Sequence, residues 1–203
     1  MRPYILILVC SSALTVGLSQ TTTITFDGEP PQPRGTQSGS GRYEESGTVF
    51  QQGGRGQVSR NGGGLPLYPE NGTAYLQIGG ESEVELALLS GLPFSLTSID
   101  LAEYSTVYPG PQPVFIQGYR ADGQGVSTTF MLDGVIDGTG PLPDFETFAF
   151  DPTFADVTRV LFPPGVSIDN VVFTPVPEAK TGTLIVAGLA AMIALRWRSA
   201  KAQ

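Results

Sequence analysis

What most limits the fold of this chain is how its apolar runs are cut. Between residues 22 and 173 they are short, alternate with polar residues, and are separated by clusters of Gly, Pro, Asn and Asp. The clearest case is Val114 to Ala121, then Asp122-Gly123, then Val126 to Leu132, which reads as two strands joined by a tight turn. Val126, Thr128, Phe130 and Leu132 would line one face of the second strand. Further strands are expected at Thr22 to Phe26, Tyr43 to Gln51, Ala74 to Ile78, Glu83 to Leu88 and Phe94 to Glu103. Three more follow, at Glu146 to Phe150, Val157 to Phe162 and Ser167 to Phe173. The Gly-rich stretches 28–41 and 52–66 read as loops. In Phe94 to Glu103 the apolar phase switches from Phe94/Leu96 to Ile99/Leu101, the pattern of a β-bulge.

No segment between 20 and 175 reads as a helix, so the expected class is all-β, an antiparallel two-sheet β-sandwich. A jelly roll fits best, and an immunoglobulin-type sandwich without the Cys pair is the alternative. The 26 Gly and 17 Pro of 203 residues supply the turns, and 40% hydrophobic content supplies a core.

The two ends read differently from the middle. Met1-Arg2 precedes an apolar stretch from Ile5 to Leu18, and Gly17 and Ser19 are small residues at −3 and −1 of a cut after Ser19. That is the pattern of a secretory signal peptide over 1–19. Cys10 reads as one more apolar residue of this signal helix. At the other end an apolar run from Gly182 to Leu195 is followed by Arg196, Trp197, Arg198 and Lys201. As a helix the run would span about 21 Å, short of the ~30 Å hydrocarbon core, with Trp197 and the two Arg reaching for the interface. The basic cluster after it places the extreme C-terminus on the cytoplasmic side and the domain outside. The expected organisation is a signal peptide over 1–19, an ectodomain over 20–175, and a tail over 176–203. The tail divides into a transmembrane-type helix, 182–195, and a basic end, 196–203.

Val176-Pro177-Glu178, the apolar run and Arg196 with Arg198 together resemble the PEP-CTERM sorting signal of Gram-negative bacteria. Ala179 stands where that box has its second Pro. The resemblance implies a membrane processing enzyme of the exosortase type as partner, passage through the membrane by the C-terminal helix, and export linked to extracellular polysaccharide. The ectodomain is similar to jelly-roll modules that accompany such signals, through Leu96 to Tyr104, Asp133 to Gly138, Asp144 to Phe148 and Ser167 to Val171. Related carbohydrate-binding modules place a structural Ca²⁺ where first and last strands meet. By that resemblance Asp27 and Asp169 are the candidate metal ligands.

Composition removes several chemistries. The chain has no His, and therefore no His base, His metal ligand or Ser-His-Asp triad, and its single Cys10 allows no internal disulfide. Residues 20–177 hold six Arg, no Lys and eighteen Asp and Glu, about −12, which repels nucleic acid. Asp133 to Asp144 carries Asp at positions 1, 5 and 12 and Gly at 6, but Val135, Pro141 and Pro143 exclude an EF-hand and leave a loop with three carboxylates. Tyr43, Tyr68, Tyr104, Tyr108 and Tyr119 are the Tyr residues available as sugar-stacking platforms. Tyr104 and Tyr108, bracketing a loop before Pro109-Gly110-Pro111, are the preferred pair. No pair of acids stands out as a catalytic dyad, although Glu44, Glu45 and Glu103 are available. The expectation is an exported surface or matrix protein without enzymatic activity. A calcium-stabilised carbohydrate-binding module is the alternative, and a surface glycan hydrolase a further one. Asn71-Gly72-Thr73, though a glycosylation sequon, reads as a turn.

Overall fold

A computed structural model describes residues 19–27, 42–52, 56–60, 68–79, 83–107, 110–136 and 144–176. The signal peptide (except Ser19), Tyr108, and Pro177, Glu178, Arg196 and Arg198 of the tail lie outside the described residues. Ser19–Val176 forms one compact unit.

Its twelve described strands are β1 (Thr22–Ile24), β2 (Arg42–Glu45), β3 (Thr48–Gln52), β4 (Gly56–Arg60), β5 (Ala74–Ile78), β6 (Val84–Leu88), β7 (Phe94–Glu103), β8 (Gln112–Arg120), β9 (Gly125–Leu132), β10 (Glu146–Ala149), β11 (Val157–Phe162) and β12 (Val166–Pro175). Among the described residues one 3₁₀ turn, Pro152–Phe154, is capped by Asp151, whose carboxylate accepts from the Thr153 amide at 2.7 Å. Among the described residues no helix is long and apolar enough to cross a membrane. The fold is all-β, and every pairing is antiparallel.

Hydrogen-bonded neighbours follow the order β2-β3-β6-β11-β7-β12-β5-β4, with β1 on β12, β10 on β7, and β9 reaching β11 through β8. The β11–β7 link is one residue pair, Val157 with Phe94. The strands therefore divide into two ladders, β2-β3-β6-β11-β8-β9 and β4-β5-β12-β7-β10. In the second, β1 takes up the free edge of β12 beyond β5. One cluster of buried side chains draws on both, including Phe50, Leu86, Ile116 and Val160 from the first ladder and Ile78, Ile99, Leu101 and Ile168 from the second. Burying such side chains is worth roughly 1.5–3 kcal/mol each relative to exposure, which makes this cluster the main source of stability.

Most of the strand expectations hold. The Asp-Gly hairpin is present, with the Asp122 carboxylate accepting from the Gln124 amide at 2.9 Å inside the turn. The bulge is present too. Thr97 is the extra residue of β7 between the Leu96–Phe173 and Ser98–Val172 pairs, and β12 answers with Asn170 and Val171 opposite Ile99 alone. Asn170 takes φ 44 there, a left-handed conformation that Asn tolerates.

Two expectations are corrected. Tyr43 to Gln51 is not one strand but a hairpin, β2 and β3, because Ser46 and Gly47 both adopt positive φ, 50 and 78, and turn the chain. The stretch 52–66 is not all loop, since Gly56–Arg60 pairs along β5 as β4. Its composition is that of a turn, and the neighbouring strand overrides that propensity.

Candidate functional site

β1 and β12 pair side by side, Thr22 with Phe173 and Ile24 with Val171, so the first and last strands do meet. Asp27 follows β1 and Asp169 lies in β12. Both carboxylates reach the turn that precedes β5. Asp27 Oδ1 accepts from the Ala74 amide at 3.1 Å. Asp169 Oδ2 accepts from Asn71 Nδ2 at 2.5 Å and Thr73 Oγ1 at 3.0 Å, and its Oδ1 accepts from the Asn170 amide at 2.7 Å. Asn71 Oδ1 in turn takes the Thr73 amide at 3.1 Å, which fixes the orientation of its side-chain amide. Asn71-Gly72-Thr73 is thus the turn expected of it, held down by a fully buried carboxylate.

A calcium ion needs six to eight oxygen ligands. The groups around Asp169 are N–H and O–H donors, and no group of three or more Asp, Glu, His or Cys among the described residues is placed to share a metal. This donor set fits a carboxylate fastened by hydrogen bonds. Burial pushes the Asp169 carboxyl up to about 6. The three donors pull the other way, and the Asp100 charge adds to the rise.

The neighbouring Glu103 is 1% exposed. Its Oε1 accepts from the Gly134 amide at 2.6 Å, while its Oε2 is buried with no hydrogen-bond partner among the described residues. Desolvation raises its pKa, as do the charges of Asp133 and Glu146. Glu44 and Glu45 also hold structural positions. Glu44 pairs with Arg42 at 2.5 Å, and Glu45 binds the Thr25 and Phe26 amides and the Tyr43 hydroxyl. Of the three-carboxylate loop, Asp133 caps its own turn through the Val135 amide and Asp144 accepts from the Glu70 amide. Tyr104 is half-buried, edge-on to Tyr68 at 6.0 Å. Its ring lies so close to Gly79 that an added Cβ there would stand 3.0 Å from the Tyr104 hydroxyl.

A second assembly lies on the outward face of the first ladder. In β8, Val114, Ile116 and Gly118 are buried, so Pro113, Phe115, Gln117 and Tyr119 point away from the core. The registers carry that face across six strands. One row is Arg42, Gln51, Glu85, Leu161, Gln117 and Ser127, and the next is Glu44, Val49, Ala87, Arg159, Tyr119 and Gly125. At strand spacing each row spans about 24 Å. The Arg159 guanidinium lies 4.4 Å from the centre of the Tyr119 ring and pairs with Glu85 at 3.2 Å. Phe115 is 49% exposed, large for an aromatic side chain, and Met131, opposite Pro113, is 57% exposed. The face therefore combines an open aromatic surface with amide, guanidinium, carboxylate and phenol groups.

Of these residues the sequence singled out Tyr119, as one Tyr among several, and Glu44, as one acid among several. The outward set Phe115/Gln117/Tyr119 was readable from alternation with Val114/Ile116. Arg159 and Glu85 come from distant segments and join it only through strand register.

No family model matches the chain, and no curated protein does. Among solved structures, a DUF4465 family protein from Bacteroides caccae ATCC 43185 is similar over 77% of this chain and 100% of that chain, at 13% identity and TM-score 0.53. That likeness shows a shared fold. A family 29 carbohydrate-binding module aligns over 77% of this chain and 85% of its own, at 16% identity and TM-score 0.34. A family 11 carbohydrate-binding module from Clostridium thermocellum, in complex with a β-1,3-1,4-mixed-linked tetrasaccharide, aligns over 66% and 94%, at 7% identity and TM-score 0.32. At those scores neither bears on the ligand of this chain.

Proposed function

We propose that this is an exported jelly-roll sandwich that holds glycan at the cell surface or in extracellular polysaccharide, delivered there by its PEP-CTERM-like tail. One observation carries the binding reading: Phe115, Gln117 and Tyr119 stand outward on one strand, beside Arg159 and Glu85 from two others. Sugar rings present apolar C–H faces and a rim of hydroxyls. An exposed aromatic ring meets the first, while amide, guanidinium and carboxylate groups meet the second. Two ladders sharing one core, with first and last strands adjacent, support the sandwich. The tail reading rests on Val176-Pro177-Glu178, the run 182–195, and Arg196 with Arg198.

Binding without turnover is part of the proposal. Of the three acids named above, Glu45 binds two backbone amides, Glu103 is buried, and Glu44, on the outward face, is paired with Arg42. Affinity electrophoresis of the full chain through gels containing soluble polysaccharides tests the binding reading. Retardation by at least one glycan, lost in Phe115→Ala and kept in Tyr104→Ala, is the expected result. Retardation lost only in Tyr104→Ala would move the site to the Tyr68/Tyr104 end. Intact mass of the protein from its native host tests the tail, since retention of residues 182–203 would replace processing with anchoring.

A further inference from the structure

We infer that the outward face of the first ladder takes neutral, extended polysaccharides and rejects acidic ones, because its two cations are both neutralised within the face. This rests on the glycan-binding reading above and adds the class of glycan.

The rows derived from strand register contain two Arg and two Glu. Arg42 is paired with Glu44 at 2.5 Å, and Arg159 with Glu85 at 3.2 Å while also covering the Tyr119 ring. A uronate or sulfate group on a glycan needs a guanidinium or ammonium with donors to spare in a suitable direction. Here each guanidinium already faces a carboxylate of the neighbouring row, so an incoming anion meets a Glu wherever it meets an Arg. The remaining members of the rows are Gln51, Gln117, Ser127, Val49, Ala87, Leu161, Tyr119 and Gly125, all uncharged. Around the face, residues 20–177 carry about −12, which disfavours approach of a polyanion further at low salt.

The extent of the face points to a chain rather than a single sugar. The rows run about 24 Å across six strands, and Phe115 and Tyr119, four residues apart on β8, are separated by about 14 Å along the strand. Gln117, between them, supplies amide donors and an acceptor for hydroxyls of a sugar bridging the two rings.

The masking carboxylate also provides a gain-of-function test. Glu85→Gln keeps the shape of residue 85 and leaves Arg159 without its charge partner. Both side chains are well exposed, so the fold should tolerate the change.

The experiment uses the full chain, as wild type, Glu85→Gln and Phe115→Ala, in affinity gels at low and moderate salt. Neutral probes are mixed-linkage β-glucan, xylan and laminarin, and acidic probes are polygalacturonate and alginate. The expected wild type is retarded by a neutral glycan and by neither acidic one at either salt. Phe115→Ala should weaken the neutral interaction about tenfold. Glu85→Gln should acquire retardation by an acidic glycan that disappears as salt rises. Wild type retarded by polygalacturonate or alginate as strongly as by a neutral glycan would overturn the charge assignment and leave glycan binding standing. Wild type retarded by none of the five would overturn both readings. Wild type retarded by a neutral glycan, with Glu85→Gln acquiring no acidic-glycan binding, would overturn the masking of Arg159 by Glu85 and leave glycan binding standing.

Discussion

Asp27 and Asp169, from opposite ends of the domain, fasten two successive residues where one turn enters β5: Asp27 takes the Ala74 amide and Asp169 the Thr73 hydroxyl. Removing the buried partner leaves several donors stranded. Asp169→Ala is expected to cost about 2–4 kcal/mol, and Thr73→Ala about 1 kcal/mol. The double variant should cost less than the sum, because both changes cut one network. Because hydrogen-bond donors satisfy these carboxylates, the melting temperature should not move with EDTA or with added calcium. A rise with calcium would support the metal reading of Asp27 and Asp169.

The pH dependence of the same residue has a definite sign. Burial holds the Asp169 carboxyl at about 6, above its ordinary 3.8, and Glu103 is raised by the same cause. The folded state therefore binds more protons than the unfolded chain between those values. The contribution of Asp169 is fully present below about 4 and is lost as pH rises through about 6. The difference in stability between wild type and Asp169→Ala, read from melting temperatures, should widen as pH falls from 7 to 4.5, by about 2 kcal/mol. Exposed Asp151, lowered by its bonds to Thr153, works in the opposite direction. A gap that narrows in acid would show the sign to be wrong.

Gly134 has two reasons to be glycine. Its φ is +83, and a Cβ there would sit 2.2 Å from the Gly110 carbonyl carbon, against backbone that cannot swing aside. Gly47 shares the positive φ, +78, but opens on empty space. Gly47→Ala should cost about 1 kcal/mol by conformation alone. Gly134→Ala should cost more than twice that, with Glu103 losing its amide partner as the loop shifts. Equal losses in urea unfolding would mean that the close approach to Gly110 relaxes freely.

Glu45 ties the end of β1, in the second ladder, to β2, in the first. Its carboxylate holds the Thr25 and Phe26 amides, at 3.2 and 2.9 Å, across a residue with φ 57. The Phe26 ring is fully buried against Tyr43 and Phe50. Glu45→Gln keeps the volume but puts a donor where an acceptor is needed. The expected loss is about 1–3 kcal/mol, seen as a lower urea midpoint with unchanged slope.

The parts of this fold that were legible in the sequence are those decided within a few residues. The Asp122-Gly123 hairpin is one, and the phase switch between Leu96 and Ile99 is another. β4 was not legible, because Gly56–Arg60 is a strand only by virtue of the partner it finds in β5. The site divides the same way. Meeting of the first and last strands followed from the resemblance, and Asp27 and Asp169 do converge there, each on hydrogen-bond donors at the start of β5. The outward face was missed because Glu85, Arg159 and Tyr119 become neighbours only once β6, β11 and β8 are in register.

The second ladder also sets a timetable for the chain. Its middle strand, β12, is the last one described, and β1, β5 and β7 all hydrogen-bond to it. A nascent chain that has not yet produced Val166–Pro175 has no centre on which to build that ladder, however much of the rest is in place. Closure of the domain therefore waits for its final residues, and the contacts that complete it span nearly its whole length, the kind that form slowly. The last strand to be made is thus the one that locks the earlier strands of this ladder together.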